Sequence, residues 1–383
     1  MDIQTAIIGV TGFGTTHFAQ LVRLHREGRA RLAAATVINP AEAAEACATL
    51  RELGAQVFDD YRAMLDALRG RLDLCCIPTG IAWHAPMTCD ALDAGAHVFV
   101  EKPLAGSLED VDRILAARDR AGRFVAVGFQ DIYDPQHLNI KRRLLDGAVG
   151  AIHSVRVIGV WPRPHSYYRR NAWAGRLRDG RGAWVRDSPA NNAMSHYLNL
   201  GLFFAGAALD RSLTVSAAEA RLWRANAIES FDTITARLST NEGVEVGVYM
   251  THAALETREV EIRIQGEKGR LIWALAGKVC RLELADGRIE DFAVAVLRKG
   301  FRTVMFDALI RRLHNPAVWI CLPEIARAHT QAIEHIHASG PILDAPAGRV
   351  RTQPFKQGDT ITVIEGIAEE LERGFESGRM LGD

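Results

Sequence analysis

Residues 5–14 read TAIIGVTGFG, a short apolar run followed by a glycine-rich turn. The residues beyond it place Phe18 and Leu21 at the spacing of one helix face, so the segment predicts a strand, a tight turn and a helix. Dinucleotide-binding proteins carry the pattern Gly-x-Gly-x-x-Gly at this junction, where the helix N-terminus binds a pyrophosphate. Gly9 and Gly14 occupy the first and third glycine positions of that pattern.

The second glycine position of the pattern is occupied by Thr11, with Gly12 beside it. A side chain there reduces the room for a pyrophosphate, while the hydroxyls of Thr11, Thr15 and Thr16 could donate hydrogen bonds to it. The alternative is a glycine-rich connector that binds no ligand. We expect cofactor contacts from Gly9, Thr11, Gly12, Phe13, Gly14 and Thr15.

The end of the next predicted strand bears on the choice of cofactor. An acidic residue about 20 residues beyond the turn commonly holds the ribose hydroxyls of NAD. Asn39 stands at the equivalent strand end, and its neutral side chain can bind a ribose hydroxyl without repelling a 2′-phosphate. No arginine follows directly to bind such a phosphate. Both NAD and NADP stay open, with a small preference for NAD.

Two kinds of periodicity divide the chain. Through residue 130, apolar strands alternate with helical segments, which predicts βαβ units and a Rossmann-type parallel sheet covered on both faces. From Ala151 on, alternating strands are joined by turn signals such as NEG at 241–243, which predicts a mostly antiparallel sheet. The predicted strands of that sheet are 154–160, 233–238, 244–250, 260–265, 271–274 and 281–284.

The fold class is therefore α/β with a second, α+β domain. We predict a dinucleotide-binding domain at 1–130 and a domain for substrate binding and oligomerisation at 131–383. The length of 383 residues agrees with two domains, since single cores seldom grow beyond about 250–300 residues. Helices are expected at 323–337 and 361–373, and the last of them could pack back on the first domain.

Composition restricts the classes of partner. Lys plus Arg and Asp plus Glu both number 46, so nucleic acid and anionic membranes are not expected as main partners. No apolar run reaches the ~18 residues of a membrane span, and the N-terminus has no leader pattern, so a cytoplasmic protein is expected. The six cysteines include no Cys-x-x-Cys pair, which favours buried thiols over a metal site.

Residues 94–103 read AGAHVFVEKP, an apolar strand that ends in Glu101-Lys102-Pro103. A lysine at the C-terminal end of a strand lies at the edge where α/β proteins bind their ligands. There it can act as a proton donor or acceptor. Taken alone, such a tripeptide is also common in surface loops.

Four features occur in a fixed order along the chain. They are the glycine turn with His17, IPT at 77–79 with His84, AGAHVFVEKP at 94–103, and VGFQ at 127–130. This order resembles the glucose–fructose oxidoreductase / inositol dehydrogenase (Gfo/Idh/MocA) family, most specifically at 94–103.

The resemblance implies roles for residues of the first domain. Lys102 would lie near the nicotinamide and the substrate hydroxyl, and Glu101 would set the geometry of the lysine and the cofactor. Pro78, Thr79 and His84 would line the nicotinamide side. Gln130 would lie at the domain junction.

The family's second catalytic element is Asp-x-x-x-His on a helix of the second domain. The resemblance places His196 on that histidine and Asn192 where the aspartate is usual. Their i, i+4 spacing predicts one shared helix face, with His196 accepting a proton and Asn192 orienting a hydroxyl. Asp187 could supply the missing carboxylate. The alternatives are a solvated histidine and an asparagine that bonds its own backbone.

The segment 161–187 is rich in arginine and aromatic residues, with seven Arg and no Lys. Aromatic rings stack on sugar faces and guanidinium groups bind carboxylates, so the composition favours an acidic sugar or polyol. An oligomer contact or a packed surface loop is the alternative. The residues expected to bind substrate, besides Asn192 and His196, are Arg163, Tyr167, Arg169, Arg170 and Trp173.

Together these features predict an NAD(P)-dependent oxidoreductase acting on a secondary hydroxyl of a sugar, sugar acid or cyclitol. A homo-oligomer, a dimer or tetramer, is expected through the C-terminal sheet. One alternative is a family member that retains NAD and cleaves a glycosidic bond or eliminates water by transient oxidation. Another is a non-catalytic nucleotide-binding or interaction protein, because Thr11, Asn39 and Asn192 all depart from the usual patterns.

Overall fold

The computed structural model describes residues 3–293 and 298–383. These residues divide into two compact units by their contacts, one comprising 3–133 and 298–323 and the other 134–293 and 324–383. The boundary near residue 133 lies close to the expected one. The return of 298–323 to the first unit differs from the expected boundaries, which assigned the whole chain beyond 131 to the second domain.

The region 3–133 alternates strands and helices. Its strands are β1 (Gln4–Ile8), β2 (Arg31–Thr36), β3 (Gln56–Phe58), β4 (Leu74–Ile77), β5 (His97–Val100) and β6 (Val125–Val127). Its helices are α1 (Gly14–Arg26), α2 (Ala44–Glu52), α3 (Tyr61–Ala67), α4 (Ile81–Asp93) and α5 (Leu108–Ala121), followed by a 3-10 turn at Gln130–Tyr133.

These six strands form one parallel sheet in the order β3-β2-β1-β4-β5-β6. The prediction of a Rossmann-type sheet is confirmed. The strand order reverses between β1 and β4, and doubly wound sheets bind ligands beyond the carboxyl ends of the strands at such a point. The glycine-rich turn that follows β1 and the IPT segment that ends β4 both lie there.

The second unit begins with α6 and contains the larger sheet. The elements of residues 134–293 are α6 (Pro135–Leu145), β7 (Ile152–Val160), α7 (His165–Tyr168), α8 (Ser195–Ala205), β8 (Val215–Arg224), β9 (Thr233–Thr240), β10 (Glu245–Thr251), β11 (Arg258–Gly266), β12 (Gly269–Ala274), β13 (Val279–Leu284) and β14 (Ile289–Asp291). The elements of residues 298–383, of which α9 belongs to the first unit, are α9 (Arg298–His314), α10 (Pro323–Ala338), β15 (Ile342–Asp344), β16 (Val350–Pro354), β17 (Thr360–Ile364) and α11 (Ile367–Ser377).

Nine of these strands form a sheet in the order β14-β13-β12-β11-β7-β10-β9-β8-β15. Its pairs are antiparallel except β7 with β10 and β8 with β15, so the prediction of a mostly antiparallel sheet is confirmed. Alternate residues of β7 face opposite sides. Val155 and Val157 approach Gly201 of α8, where a Cβ would lie 3.1 and 3.2 Å from their methyl groups.

The C-terminal helix is shorter than predicted. Residues 361–364 belong to β17, which pairs with β16, because their run of β-branched residues suits a strand. The helix α11 lies on β7 and β10, within the second unit. Its Phe375 joins a buried cluster with Ile158 and Tyr249, and the Phe375 carbonyl accepts a 2.8 Å hydrogen bond from Arg156.

Helix α9, which the sequence did not predict, explains the unexpected boundary of the first unit. Its Asp307 accepts hydrogen bonds from Arg23 at 2.9 Å and from Arg29 at 2.6 Å, on and just beyond α1. Its Phe306 is fully buried against Phe99 of β5, with ring centroids 5.3 Å apart. These contacts hold α9 to the Rossmann sheet although about 170 residues separate it from that sheet in the sequence.

Residues 3–293 and 298–383 contain neither a membrane-spanning helix nor a cluster of metal ligands. None of the helices there combines the length and apolar character needed to cross a bilayer. In the same ranges, no three side chains of His, Cys, Asp or Glu come together as metal ligands.

Candidate functional site

The glycine-rich turn adopts a conformation that requires its glycines. Gly9 and Gly12 have φ angles of 92° and 56°, in the region that side-chain-bearing residues avoid. A Cβ on Gly14 would lie 2.5 Å from the carbonyl oxygen of Gly9, so the close approach of strand and helix excludes any side chain at Gly14. Thr11, Gly12 and Phe13 form the exposed lip of the turn.

The N-terminus of α1 fits a bound anion. Phe13 is its N-cap residue, and the helix has neither a side-chain cap nor an acidic residue in its first turn. Its N–H groups and the positive end of its dipole therefore face the lip of the turn without a competing carboxylate. A pyrophosphate suits this position, since it accepts several N–H hydrogen bonds at once.

The hydroxyls in the first turn of α1 bond to the backbone. Thr15 Oγ1 donates to the Gly12 carbonyl and Thr16 Oγ1 to the Phe13 carbonyl, each at 2.9 Å. These bonds stabilise the start of the helix. A hydrogen bond from Thr15 to a cofactor phosphate therefore stays a prediction that would require this hydroxyl to rotate.

The end of β4 forms the wall next to the turn. A Cβ on Gly14 would lie 3.5 Å from Pro78 Cγ, and one on Gly9 would lie 3.9 Å from Thr79 Cγ2. Asn39 lies exposed beyond β2, 3.5 Å from the Glu42 carboxylate that its amide faces. The structure thus brings the glycine turn, Pro78 and Thr79 together at the point of strand-order reversal.

Beneath the turn, His17 and Glu101 form a buried pair. The distance from His17 Nε2 to Glu101 Oε1 is 2.7 Å, and their side chains are 0% and 7% exposed. The His17 ring stacks on Phe99 with centroids 5.0 Å apart. The second carboxylate oxygen of Glu101 accepts the backbone N–H of Lys102 at 3.0 Å. The helix that begins at the glycine turn is thereby tied to the backbone of the lysine.

Gly128 makes room for this carboxylate. A Cβ on Gly128 would lie 2.8 Å from Glu101 Oε1. The Glu101 carboxylate therefore requires a glycine at this position of the VGFQ segment. Gln130 follows at the start of the 3-10 turn, half-buried, with its N–H donating to the Gly128 carbonyl at 2.9 Å. The order of motifs in the sequence therefore corresponds to direct contacts among them.

His84 bridges two backbone segments. Its Nδ1 lies 2.7 Å from the Pro103 carbonyl oxygen and its Nε2 lies 3.1 Å from that of Thr79. The residue is fully buried, and this burial lowers the pKa of His84. The His84 ring thus connects the end of β4 to the cis Lys102–Pro103 peptide, and its place on the nicotinamide side stays a prediction. Lys102 itself is half-buried.

Arg302, on α9, reaches the lip of the glycine turn. Its guanidinium carbon lies 5.3 Å from the centroid of the Phe13 ring, which is 47% exposed. Sequence reasoning missed this cation because it lies far along the chain and α9 was not predicted. It adds positive charge where the anion is expected.

In the second unit, the predicted helix around His196 is interrupted. Pro189–Ala193 form a π-helical turn that contains Asn192, and α8 starts at Ser195, which places His196 in its first turn. Asn192 and His196 therefore lie in two different helical segments, not in one continuous α-helix, and a shared face for their side chains stays a prediction. π-helical turns occur frequently at functional sites.

Asp187 supplies a carboxylate beside Asn192. Its Oδ1 accepts a hydrogen bond from Asn192 Nδ2 at 2.8 Å, and its Oδ2 accepts one from the Gly175 N–H at 2.7 Å. Arg170 Nη2 lies 3.3 Å from the same Oδ2. The Asp187 carboxylate is 3% exposed. These hydrogen bonds therefore hold both the carboxylate and the Asn192 amide in place.

The preceding Arg186 has a φ of 48°, which is strained for a residue with a side chain. Its guanidinium lies 3.2 Å from the Glu334 carboxylate and 4.2 Å from the centroid of the Trp184 ring. These contacts hold the strained residue next to Asp187.

The structure brings together part of the expected substrate-binding set. The guanidinium carbons of Arg163 and Arg170 lie 5.0 and 3.8 Å from the centroid of the Tyr167 ring, and Arg170 lies 5.1 Å from that of Trp173. Arg169 is not part of this group. Its side chain is 72% exposed and lies 3.8 Å from Asp359.

One buried histidine of this group was missed by sequence reasoning. His252, just beyond β10, packs against Tyr167 with ring centroids 5.6 Å apart. Its Nδ1 lies 2.7 Å from the Trp161 carbonyl oxygen. A histidine directly after a buried apolar strand was the available signal, but nothing in the sequence paired that strand end with the segment 161–187.

Two family models match this chain. Residues 3–129 match the oxidoreductase family with an NAD-binding Rossmann fold, and residues 137–272 match the GFO/IDH/MocA C-terminal domain. The chain belongs to the Gfo/Idh/MocA oxidoreductase family. The resemblance predicted from the order of motifs is thereby confirmed, and the first unit is an NAD-binding Rossmann domain of this family.

Curated Gfo/Idh/MocA relatives match over part of their length. An inositol 2-dehydrogenase from Rubrobacter xylanophilus is 33% identical over 153 residues, which are 39% of this chain and 42% of that protein. A 1-carboxy-3-chloro-3,4-dihydroxycyclohexa-1,5-diene dehydrogenase from Comamonas testosteroni is 32% identical over 170 residues, 41% of this chain and 39% of that protein. The matched segments span less than half of either relative.

Solved structures match over most of the chain. The WlbA dehydrogenase from Bordetella pertussis, in complex with NADH and UDP-GlcNAcA, has a TM-score of 0.71 and 24% identity, covering 88% of this chain and 96% of that one. A levoglucosan dehydrogenase in complex with NADH and levoglucosan also scores 0.71, at 16% identity, covering 88% and 97%. At these identities the likeness shows the shared fold.

Proposed function

We propose that this protein is an NAD(P)-dependent oxidoreductase acting on a secondary hydroxyl of a sugar, sugar acid or cyclitol. The observation that carries the proposal is the contact chain from the glycine turn through His17 and Glu101 to Lys102. It links a helix N-terminus suited to an anion to the backbone of Lys102, at the same edge of the sheet. The names of the inositol 2-dehydrogenase and levoglucosan dehydrogenase relatives support the substrate class.

The residues of the first unit fit a dinucleotide. When bound, the cofactor supplies hydride transfer at its nicotinamide. Gly9, Gly12 and Gly14 leave space for the pyrophosphate, Arg302 adds positive charge beside it, and Asn39 can bind a ribose hydroxyl. NAD is the preferred cofactor in this proposal, and NADP stays possible because Asn39 carries no charge to repel a 2′-phosphate.

Lys102 and His196 are the proposed proton acceptors. As the substrate carbon loses hydride and its C–O bond becomes a carbonyl, the hydroxyl proton passes to one of these side chains. The pair His17–Glu101 and the bridging His84 position the backbone of Lys102 from two sides. Asn192, held by Asp187, orients a substrate hydroxyl without carrying charge.

A dehydrogenase screen over polyols, aldoses and uronates, with NAD and NADP in parallel, tests this function. We expect reduced nicotinamide to accumulate with at least one member of the panel. Tightly bound NAD after purification without net reduction would instead favour glycosidic cleavage or elimination by transient oxidation. Calorimetry that detects neither NAD nor NADP binding would contradict both enzyme proposals.

We infer that the chain forms a homo-oligomer through its nine-stranded sheet. The middle strands β7 and β10 are covered by α11 of the same chain, so the contact would use outer strands of the sheet. Those strands carry exposed ion pairs such as Arg281–Asp291 at 2.7 Å, which can be exchanged across an interface. Light scattering after size exclusion should give a dimer or tetramer mass; a monomer mass would contradict this inference.

A further inference from the structure

Arg163 is a half-buried cation without an ion-pair partner among the residues that the structure describes. It follows β7, and its guanidinium carbon lies 5.6 and 5.0 Å from the ring centroids of Trp161 and Tyr167. Its Nε is buried and has no hydrogen-bond partner in the same described ranges. Because a cation removed from water is costly without a counter-ion, this position suits an anionic ligand.

His252 provides a buried hydrogen-bond acceptor next to that cation. Its Nδ1 faces the Trp161 carbonyl oxygen at 2.7 Å, and since a carbonyl only accepts, Nδ1 carries the proton. Burial and the charges of Arg163 and Arg170 lower the pKa of His252 to about 3, so its ring is neutral near pH 7. Nε2 therefore presents a lone pair. His252 is 1% exposed, and Nε2 has no partner within the described chain.

The backbone holds the two residues side by side. The Arg163 N–H donates to the His252 carbonyl at 3.1 Å, which continues the parallel pairing of β7 with β10 beyond the strand ends. The Tyr167 ring packs on both side chains, with centroid distances of 5.0 Å to the Arg163 guanidinium carbon and 5.6 Å to the His252 ring. The Tyr167 ring therefore lies against both the cation of Arg163 and the imidazole of His252.

The charges of the neighbouring groups indicate a monoanion. Arg170 is compensated by Asp187 at 3.3 Å, and that carboxylate is also held by Asn192 and Gly175. One positive charge, on Arg163, is left without a counter-ion. A guanidinium binds a carboxylate in a planar, two-bond geometry, while the unprotonated nitrogen of a neutral imidazole accepts a hydrogen bond from a hydroxyl.

We propose that Arg163 and His252 form a subsite for a substrate that carries a carboxylate beside a hydroxyl, as uronic and aldonic acids do. This deepens the proposed function and rests on it. Arg163 binds the carboxylate, and His252 Nε2 accepts a hydrogen bond from the hydroxyl. The subsite makes the enzyme selective for sugar acids over the corresponding neutral sugars.

The test uses matched ligands on the NAD-loaded full chain. Calorimetry compares each uronate with its uronamide, which has nearly the same shape and no charge. Wild type should bind the acid about 10- to 100-fold more tightly, the range expected for one charge-assisted pair. Arg163→Ala should remove this preference, Arg163→Lys should retain part of it, and His252→Phe should weaken the acid and the amide alike.

Arg181→Ala is the matched control, because Arg181 lies in the same segment but is exposed and paired with Asp179 at 3.0 Å. It should leave the acid preference intact. Circular dichroism of each variant separates loss of binding from loss of fold, and Arg163→Lys keeps the test decisive if Arg163→Ala does not fold.

Three outcomes would overturn the proposed subsite. They are equal binding of acid and amide by wild type, an acid preference that survives in Arg163→Ala, and tighter binding of sugar phosphates than of uronates. Turnover of the same ligands is read separately. If neutral sugars are oxidised without acid preference, the subsite fails and the dehydrogenase function stands. If uronates bind through Arg163 but no ligand is oxidised, the function fails and the subsite stands.

Discussion

Replacing Lys102 by alanine is expected to lower kcat by about 10²- to 10⁴-fold, the usual contribution of a positioned acid–base group. The dissociation constant of NAD(H) should change little, because the glycine turn and the wall at Pro78 and Thr79 do not depend on the lysine side chain. The backbone of residue 102 stays bound to Glu101 in the variant, so the surrounding structure should persist. Initial rates and cofactor fluorescence titrations, measured on the same preparation, separate the two quantities.

Lys268→Ala is a suitable control, because Lys268 is an exposed lysine of the second unit. It should retain the wild-type rate. Unchanged kcat in Lys102→Ala would remove Lys102 from the mechanism and leave His196 as the remaining proton acceptor. A large loss of cofactor affinity together with kcat would instead make Lys102 a cofactor ligand.

Replacing Gly14 by alanine is expected to weaken NAD(H) binding by about 10- to 100-fold. The added Cβ would lie 2.5 Å from the Gly9 carbonyl oxygen, so the turn must open and its N–H groups move away from the pyrophosphate. Forced overpacking of this kind costs about 1–3 kcal/mol, and each 1.4 kcal/mol is a factor of about ten in affinity. Titration of NADH fluorescence measures the change directly.

Gly340→Ala provides the matched control, since a Cβ there would meet nothing within 4 Å. It should bind NADH as wild type does. Thermal unfolding of both variants shows whether the change at Gly14 stays local. Wild-type NADH affinity in Gly14→Ala would mean that the glycine turn does not form the pyrophosphate site.

Much of the first unit could be predicted from local sequence. The buried strands β1, β2, β4 and β5 are short apolar runs bounded by turn residues, and the capping pair Ser107 and Asp110 marks the start of α5, with the Asp110 N–H bound to Ser107 Oγ at 3.2 Å. The elements β3 and α3 were missed. β3 has three residues, two of them exposed, so no apolar period marks it.

Contacts between distant segments could not be predicted in the same way. Helix α9 joins the first unit through Phe306 and Asp307, and no local pattern shows that its partners are Phe99, Arg23 and Arg29. In the candidate site, the sequence placed Lys102 at a strand end. The bond between His17 and Glu101 that fixes its backbone became visible only in the structure.

In the second unit, the sequence likewise predicted only part of the candidate site. The spacing of Asn192 and His196 fits an α-helix, yet Pro189 and the capping Ser188 start a π-helical turn, and α8 begins only at Ser195. Asp187 was a candidate replacement carboxylate because of its position in the sequence, and its hydrogen bond to Asn192 at 2.8 Å agrees with that role. His252 was missed because its environment is built by a segment about 90 residues earlier.

The most direct test of the central claim is to follow a deuterium label from substrate to cofactor. The substrate found in the dehydrogenase screen is deuterated at its hydroxyl-bearing carbon, and the nicotinamide product is analysed by mass spectrometry. A hydride-transferring enzyme should give reduced nicotinamide that carries one deuterium. Reduced nicotinamide without the label, or conversion of the substrate with no labelled nicotinamide at any stage, would contradict the proposed function.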